Sequence, residues 1–201
     1  MNEMVNVVVA LKPEASPLID HFNLKMVGGS PFKHYQGDNV NLVICGLGSD
    51  LAAAACGYLY GLQKQAPAGW LNVGIGGHAD LELGTLIMGS SVVDLRANIE
   101  IPLRQNGLPE LQASKITSHF QVSPRYPENT VCDMEAAGFV AACRTLSGPR
   151  GIAVLKVISD NLKHPVEEIT PTLAAELISD KLLEIASVIQ ALINLKKQVL
   201  S

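Results

Sequence analysis

The sequence contains no CxxC pair, and its four cysteines (Cys45, Cys56, Cys132, Cys143) lie in apolar surroundings. That pattern speaks against a disulfide framework and against zinc, and is expected of reduced, buried thiols in a cytoplasmic protein. No run of lysine or arginine occurs, and the formal net charge is −4. A basic footprint for nucleic acid or for a membrane surface is therefore missing. No apolar run is long enough to span a bilayer. The short apolar stretch within residues 1–10 is preceded by Glu3 and has no basic flank, so it reads as a first strand and not as a signal peptide. The turn Gly46-Leu-Gly48 lacks the third glycine of a dinucleotide fingerprint, which favours a structural turn over a phosphate cradle. What remains is a chain of 201 residues, 48% hydrophobic and 17% charged, expected to form one domain over residues 1–201.

The most informative stretch is residues 130–161. Thr130 with Asp133 three residues on resembles a capping box and predicts a helix start. The small residues Ala136, Ala137 and Gly138 let that helix pack closely on a sheet. Ser147-Gly-Pro-Arg-Gly151 breaks it, and Ile152 to Ile158 then reads as a buried strand, apolar except for Lys156. The strand ends in Ser159-Asp160, and open α/β sheets place ligands at the carboxyl ends of their strands. Two acids are thereby marked: Glu135 at a helix start and Asp160 at a strand end.

Elsewhere the pattern predicts a strand over residues 5–10, a tight loop Leu11-Lys-Pro-Glu14, and a helix from Pro17 to about Phe22. A strand over residues 39–45 follows a hairpin, and Ser49 or Asp50 caps an alanine-rich helix over residues 51–63. Further strands are expected at 70–73, 85–94 and 114–118. Gly74 to Gly77 is expected to be a loop whose backbone N–H groups approach a ligand. One long helix is expected from Thr170-Pro171 onward, with apolar residues at helical spacing.

Asp-Met-Glu-Ala-Ala at 133–137, followed by Val-Ile-Ser-Asp at 157–160, resembles the paired signature of the nucleoside phosphorylase/nucleosidase superfamily. It is similar in particular to the methylthioadenosine/S-adenosylhomocysteine nucleosidase branch. The resemblance implies a three-layer αβα fold around a mixed, mostly parallel sheet, and cleavage of the N-glycosidic bond of a purine nucleoside or relative. It implies Asp160 as the acid that protonates the leaving base and Glu14 as the base that activates water. Glu135 and Met134 would hold the ribose, and Phe120 would stack on the purine. Gly76, Ser159 and Lys156 complete the implied substrate-binding set. No cofactor and no metal are implied, and a homodimer or an assembly of dimers is.

Several positions depart from the family pattern. Ile75 replaces a hydroxyl residue in the glycine-rich segment, His78 replaces a glycine, and Gly84-Thr85 replaces Gly-Asp. The segment from Arg96 to Glu128 is short, which points to an altered pocket for the base and the 5′ substituent. Plainer readings stand beside the functional ones. Glu14 also suits a solvated first-turn position favoured by the helix dipole, Phe120 a core position, Lys156 a buried ion pair with a glutamate, and His78 a surface loop. Phosphorolysis, with phosphate in place of water, and non-catalytic nucleoside binding are the alternative functions.

Overall fold

Every residue of the first strand is buried, because both faces of this strand are covered by helices. The computed structural model describes residues 3–63, 65–122 and 126–200, with side chains to residue 198. In chain order the elements are β1 (Val5–Val9), α1 (Lys12–His21), β2 (Lys25–Gly28), β3 (Lys33–Gln36) and β4 (Val40–Ile44). Then come α2 (Ser49–Leu62), β5 (Gly69–Gly77), β6 (Leu86–Asp94), β7 (Ile99–Pro102) and β8 (Ala113–Ser118). The chain continues with β9 (Thr130–Asp133), α3 (Ala136–Ser147), β10 (Ile152–Asp160), α4 (Pro171–Ser179) and α5 (Leu182–Leu200).

The sheet is mixed. β1 lies parallel to β4 and β5, and β5 lies parallel to β10. β10 then pairs antiparallel with β6, β6 parallel with β8, and β8 parallel with β9. β9 returns to β5 through the pair Gly77 and Cys132. The sheet therefore closes on itself at one end and stays open at the other, where β3 and β2 form its edge. Closure brings the carboxyl ends of β5 and β10 beside the end of β9.

Alternation along the strands sorts side chains between two cores. Val5, Val7 and Val9 of β1 and Ala153, Leu155 and Val157 of β10 pack with α1, α4 and α5. Val8, Ile152, Val154 and Ile158 face α2 and α3 on the other side. This is the expected αβα layering. Lys156 continues the even-numbered side of β10, but the pairing with β5 shifts between Ile158 and Asp160, so Asp160 lies opposite Gly77 and simple alternation does not carry it to the face of Lys156. α2 and α3 pack so closely that a side chain at Gly138 would collide with the carbonyl of Ser49. Cys56 and Cys143 face each other in this interface as free thiols, Sγ to Sγ 3.7 Å.

Four local expectations are corrected. Thr130 does not cap a helix; it belongs to β9, and the helix starts at Ala136. Asp133 supplies the capping oxygen instead, accepting from the N–H groups of Glu135 and Ala136. The segment 74–77 is not a loop but the continuation of β5, paired with β10 along its length. Crowding favours glycine there: a Cβ at Gly76 would stand 2.9 Å from the backbone carbonyl oxygen of Cys132. The segment from Leu11 to Glu14 is the entry of α1, which begins at Lys12 with a proline in its first turn. Finally, the predicted last helix is two. α4 ends at Ser179 because it packs on α1 and β10, whereas α5 turns to cover β5 and β1.

Candidate active site

Glu14 occupies the third position of α1, and its Oε2 accepts the Leu11 N–H at 2.8 Å. That half of a capping box turns the carboxylate inward. Its Oε1 accepts the Ile75 N–H of β5 at 2.9 Å, and the residue is only 3% exposed. Burial raises its pKa; the Ile75 amide, Lys156 and the Leu11 amide pull the other way. The solvated reading of Glu14 is therefore replaced by a buried carboxyl bridging a helix start and the central sheet.

The second group comes from the turn between β9 and α3. Asp133 is fully buried, and its Oδ2 lies 2.8 Å from Lys156 Nζ. Its Oδ1 accepts the Ser118 hydroxyl at 2.5 Å. Glu135 Oε1 accepts the Gly48 N–H at 2.8 Å, and its Oε2 lies 3.8 Å from Lys156. The glycine turn before α2 thus directs an N–H at a carboxylate. Desolvation pushes the Glu135 carboxyl up to about 7, against the pull of Lys156. For Lys156, burial works against the charge, but Asp133, Glu135 and Glu14 together outweigh it and leave its pKa above the ordinary lysine value. The ammonium stays charged at neutral pH.

The third group ends β10. Ser159 Oγ donates to Asp160 Oδ1 at 2.5 Å, with the Gly76 carbonyl at 3.4 Å. The Tyr126 hydroxyl donates to Asp160 Oδ2 at 2.6 Å. Burial and Asp160 raise the Tyr126 pKa, so its phenol stays protonated.

These groups converge on one cavity of about 270 Å³. Of the residues singled out from the sequence, Glu14, Gly76, Met134, Glu135, Ser159 and Asp160 line it. Two do not. Lys156 lies beneath the floor, 1% exposed and engaged with Asp133 and Glu135. Phe120 is 69% exposed and stands outside the lining, so it is neither a core residue nor in place to stack on a base. His78 is also elsewhere: its Nδ1 accepts the N–H groups of Asp80 and Leu81 and fixes a turn.

Further lining residues escaped the sequence reading, His119, Val122 and Tyr126 among them. His119 Nε2 is buried with no hydrogen-bond partner among the described residues, and burial lowers the pKa of the ring, which keeps it neutral. Only position in the fold marks these residues, since the segment that carries them has no periodicity to read. Cys132 also lines the cavity, but burial pushes its thiol up to about 12, too high for a nucleophile at neutral pH. Among the described residues no cluster of histidine, cysteine and acidic side chains suits a metal ion.

No family model and no curated protein matches the chain. Solved structures do. A 5′-methylthioadenosine/S-adenosylhomocysteine nucleosidase from Colwellia psychrerythraea, in complex with adenine, superposes with a TM-score of 0.71 at 20% identity, over 96% of each chain. The Campylobacter jejuni nucleosidase of the same name gives 0.75 at 15% identity, over 96% of this chain and all of that one (100%). A futalosine hydrolase mutant from Helicobacter pylori gives 0.72 at 15% identity, over 94% of this chain and 99% of that chain. The chain has the nucleosidase fold. Within that fold the cavity lies where the carboxyl ends of β5, β9 and β10 meet, the side of the sheet on which α/β proteins place their ligands. No helix among the described residues is long and apolar enough to cross a membrane.

Proposed function

We propose that residues 1–201 form one domain that hydrolyses the N-glycosidic bond of a purine nucleoside or a close relative. The observation that carries this reading is the pair Glu14 and Asp160, two buried carboxyl groups lining one cavity in which no described lysine or arginine takes part. Breaking a bond between C1′ and a purine nitrogen leaves positive charge on the sugar and negative charge on the base. Asp160 stands at the cavity wall to give the base a proton, and Glu14 to take one from water. Water then adds to C1′ as the C1′–N bond breaks, and the products are free base and free sugar. Burial makes Glu14 a stronger base than an exposed glutamate, which suits proton abstraction near neutral pH.

Glu135 and Met134 flank the same cavity and supply a hydrogen-bond acceptor and an apolar surface for the ribose. The purine assignment is supported by the fold neighbour that holds adenine. Phosphorolysis is disfavoured by charge. A phosphorylase must hold a dianion, commonly with arginines, and the one buried lysine or arginine among the described residues is already paired with Asp133 and Glu135. A carboxylate at about 4 Å would repel each phosphate charge by about 1 kcal/mol even in water.

The test is a panel of purine nucleosides incubated with and without phosphate and scored for free base and free sugar. Equal rates in both conditions are expected, and Glu14→Gln should abolish turnover while ligand still binds. Sugar 1-phosphate formed only when phosphate is present would replace hydrolysis by phosphorolysis.

We also propose that the chain works as a homodimer or an assembly of dimers in the cytoplasm. Leu47 (51% exposed) and Val122 (56%) belong to the cavity lining yet face solvent, which a second copy would cover. Four free thiols suit a reducing compartment.

A further inference from the structure

Asp160 has two hydroxyl partners of different kinds. Ser159 is its chain neighbour and binds Oδ1 within the β10–β5 ladder. Tyr126 reaches Oδ2 from 34 residues away, and its ring lines the cavity. The ring edge lies directly on β5: Tyr126 Cε1 is 2.5 Å from the point where a Cβ on Gly77 would stand, and the Asp160 carboxylate crowds the same point. A planar aromatic ring thus covers the backbone of β5 beside the candidate acid, with a polar atom on Oδ2. A purine whose nitrogen takes a proton from Asp160 needs the same oxygen and the same flat space. The cavity left beside the tyrosine, about 270 Å³, falls just below the ~300–1,000 Å³ usual for ligand pockets.

We propose that Tyr126 is a built-in occupant of the base subsite, an internal stand-in for the purine that the substrate displaces. The proposal rests on the nucleosidase reading given above. The phenol keeps its proton and is a donor to Asp160, so it holds the acid's outer oxygen until a base with its own polar edge replaces it. A ligand must therefore match the tyrosine's hydrogen bond as well as its ring. Bases with a ring N–H or an amino group, as in free purines, meet that demand by donating to Oδ2, and purely apolar aromatics do not.

The experiment titrates free adenine, hypoxanthine and guanine by calorimetry into the wild type and into Tyr126→Phe, Tyr126→Ala and Asp160→Asn. Losing a hydrogen bond that competes with the ligand should tighten binding of the preferred base about tenfold in Tyr126→Phe. KM for the corresponding nucleoside should fall by a similar factor. In protein labelled with 3-fluorotyrosine, the resonance missing from Tyr126→Phe should move on base binding to the labelled wild type. Equal or weaker base binding by Tyr126→Phe overturns the proposal, and so does a loss confined to kcat, which would make Tyr126 a positioning residue for Asp160. In either case a wild type that turns over nucleosides, and loses this in Asp160→Asn, leaves the nucleosidase reading standing. Absence of base binding and of turnover in every protein overturns both.

Discussion

Lys156 Nζ stands 2.8 Å from Asp133 Oδ2, with the lysine side chain 1% exposed and the aspartate 0%. Glu135 approaches the same ammonium at 3.8 Å, and Glu14 adds to its field. One cation beneath the cavity thus pairs with two carboxyl groups of the β9–α3 turn and lies in the field of a third, from α1. The lysine is buried and spends its charge on these carboxyl groups.

Removing Lys156 leaves Asp133 buried with no counter-ion among the described residues. Lys156→Met should therefore destabilise the protein by about 3–5 kcal/mol. Adding Asp133→Asn to that variant should recover part of the loss, since the uncompensated charge goes with it. Urea denaturation of the single and double variants measures both effects. A single variant as stable as wild type would show that the pair is not what holds this floor together.

Glu135 predicts a pH dependence. Burial raises its carboxyl from 4.5 to about 7 in the folded chain. The native state therefore binds more protons than the unfolded state between these values. The associated stability is fully present below about 4.5 and is lost as pH rises to about 7. The loss is on the order of 3 kcal/mol at most, and Glu14, raised in the same direction, adds to it. Thermal melts from pH 5 to 8 should show a falling midpoint, with a shallower fall in Glu135→Gln. Identical slopes in the two proteins would exclude Glu135 as the source.

Asp160→Asn keeps the shape of the side chain and removes its proton chemistry. Its kcat on purine nucleosides should drop by about a hundredfold or more, while the thermal midpoint stays near wild type. Unchanged turnover would take Asp160 out of the mechanism.

Assembly is tested by sedimentation. A dimer or a multiple of dimers is expected at micromolar concentration, because lining residues such as Val122 stay exposed in the single chain. A fully active monomer would refute it.

Sequence alone established the layered α/β plan and most of the strands, because periodicity records which face of an element is buried. It also marked Glu14, Glu135 and Asp160, through short motifs and their resemblance to a known signature. Tertiary structure decided the rest. Closure of the sheet through Gly77 and Cys132 makes residues 74–77 a strand, where the glycines by themselves suggest a loop. The same closure puts Tyr126 on Asp160 and His119 on the cavity wall, and leaves Phe120 in solvent. Lys156 reads as a ligand contact or a buried pair from its strand position, and only the approach of β9 and α3 gives it Asp133 and Glu135 as partners. Local pattern determines which way a side chain faces. What it meets there depends on strand register between segments far apart in the chain, and no single element carries that information.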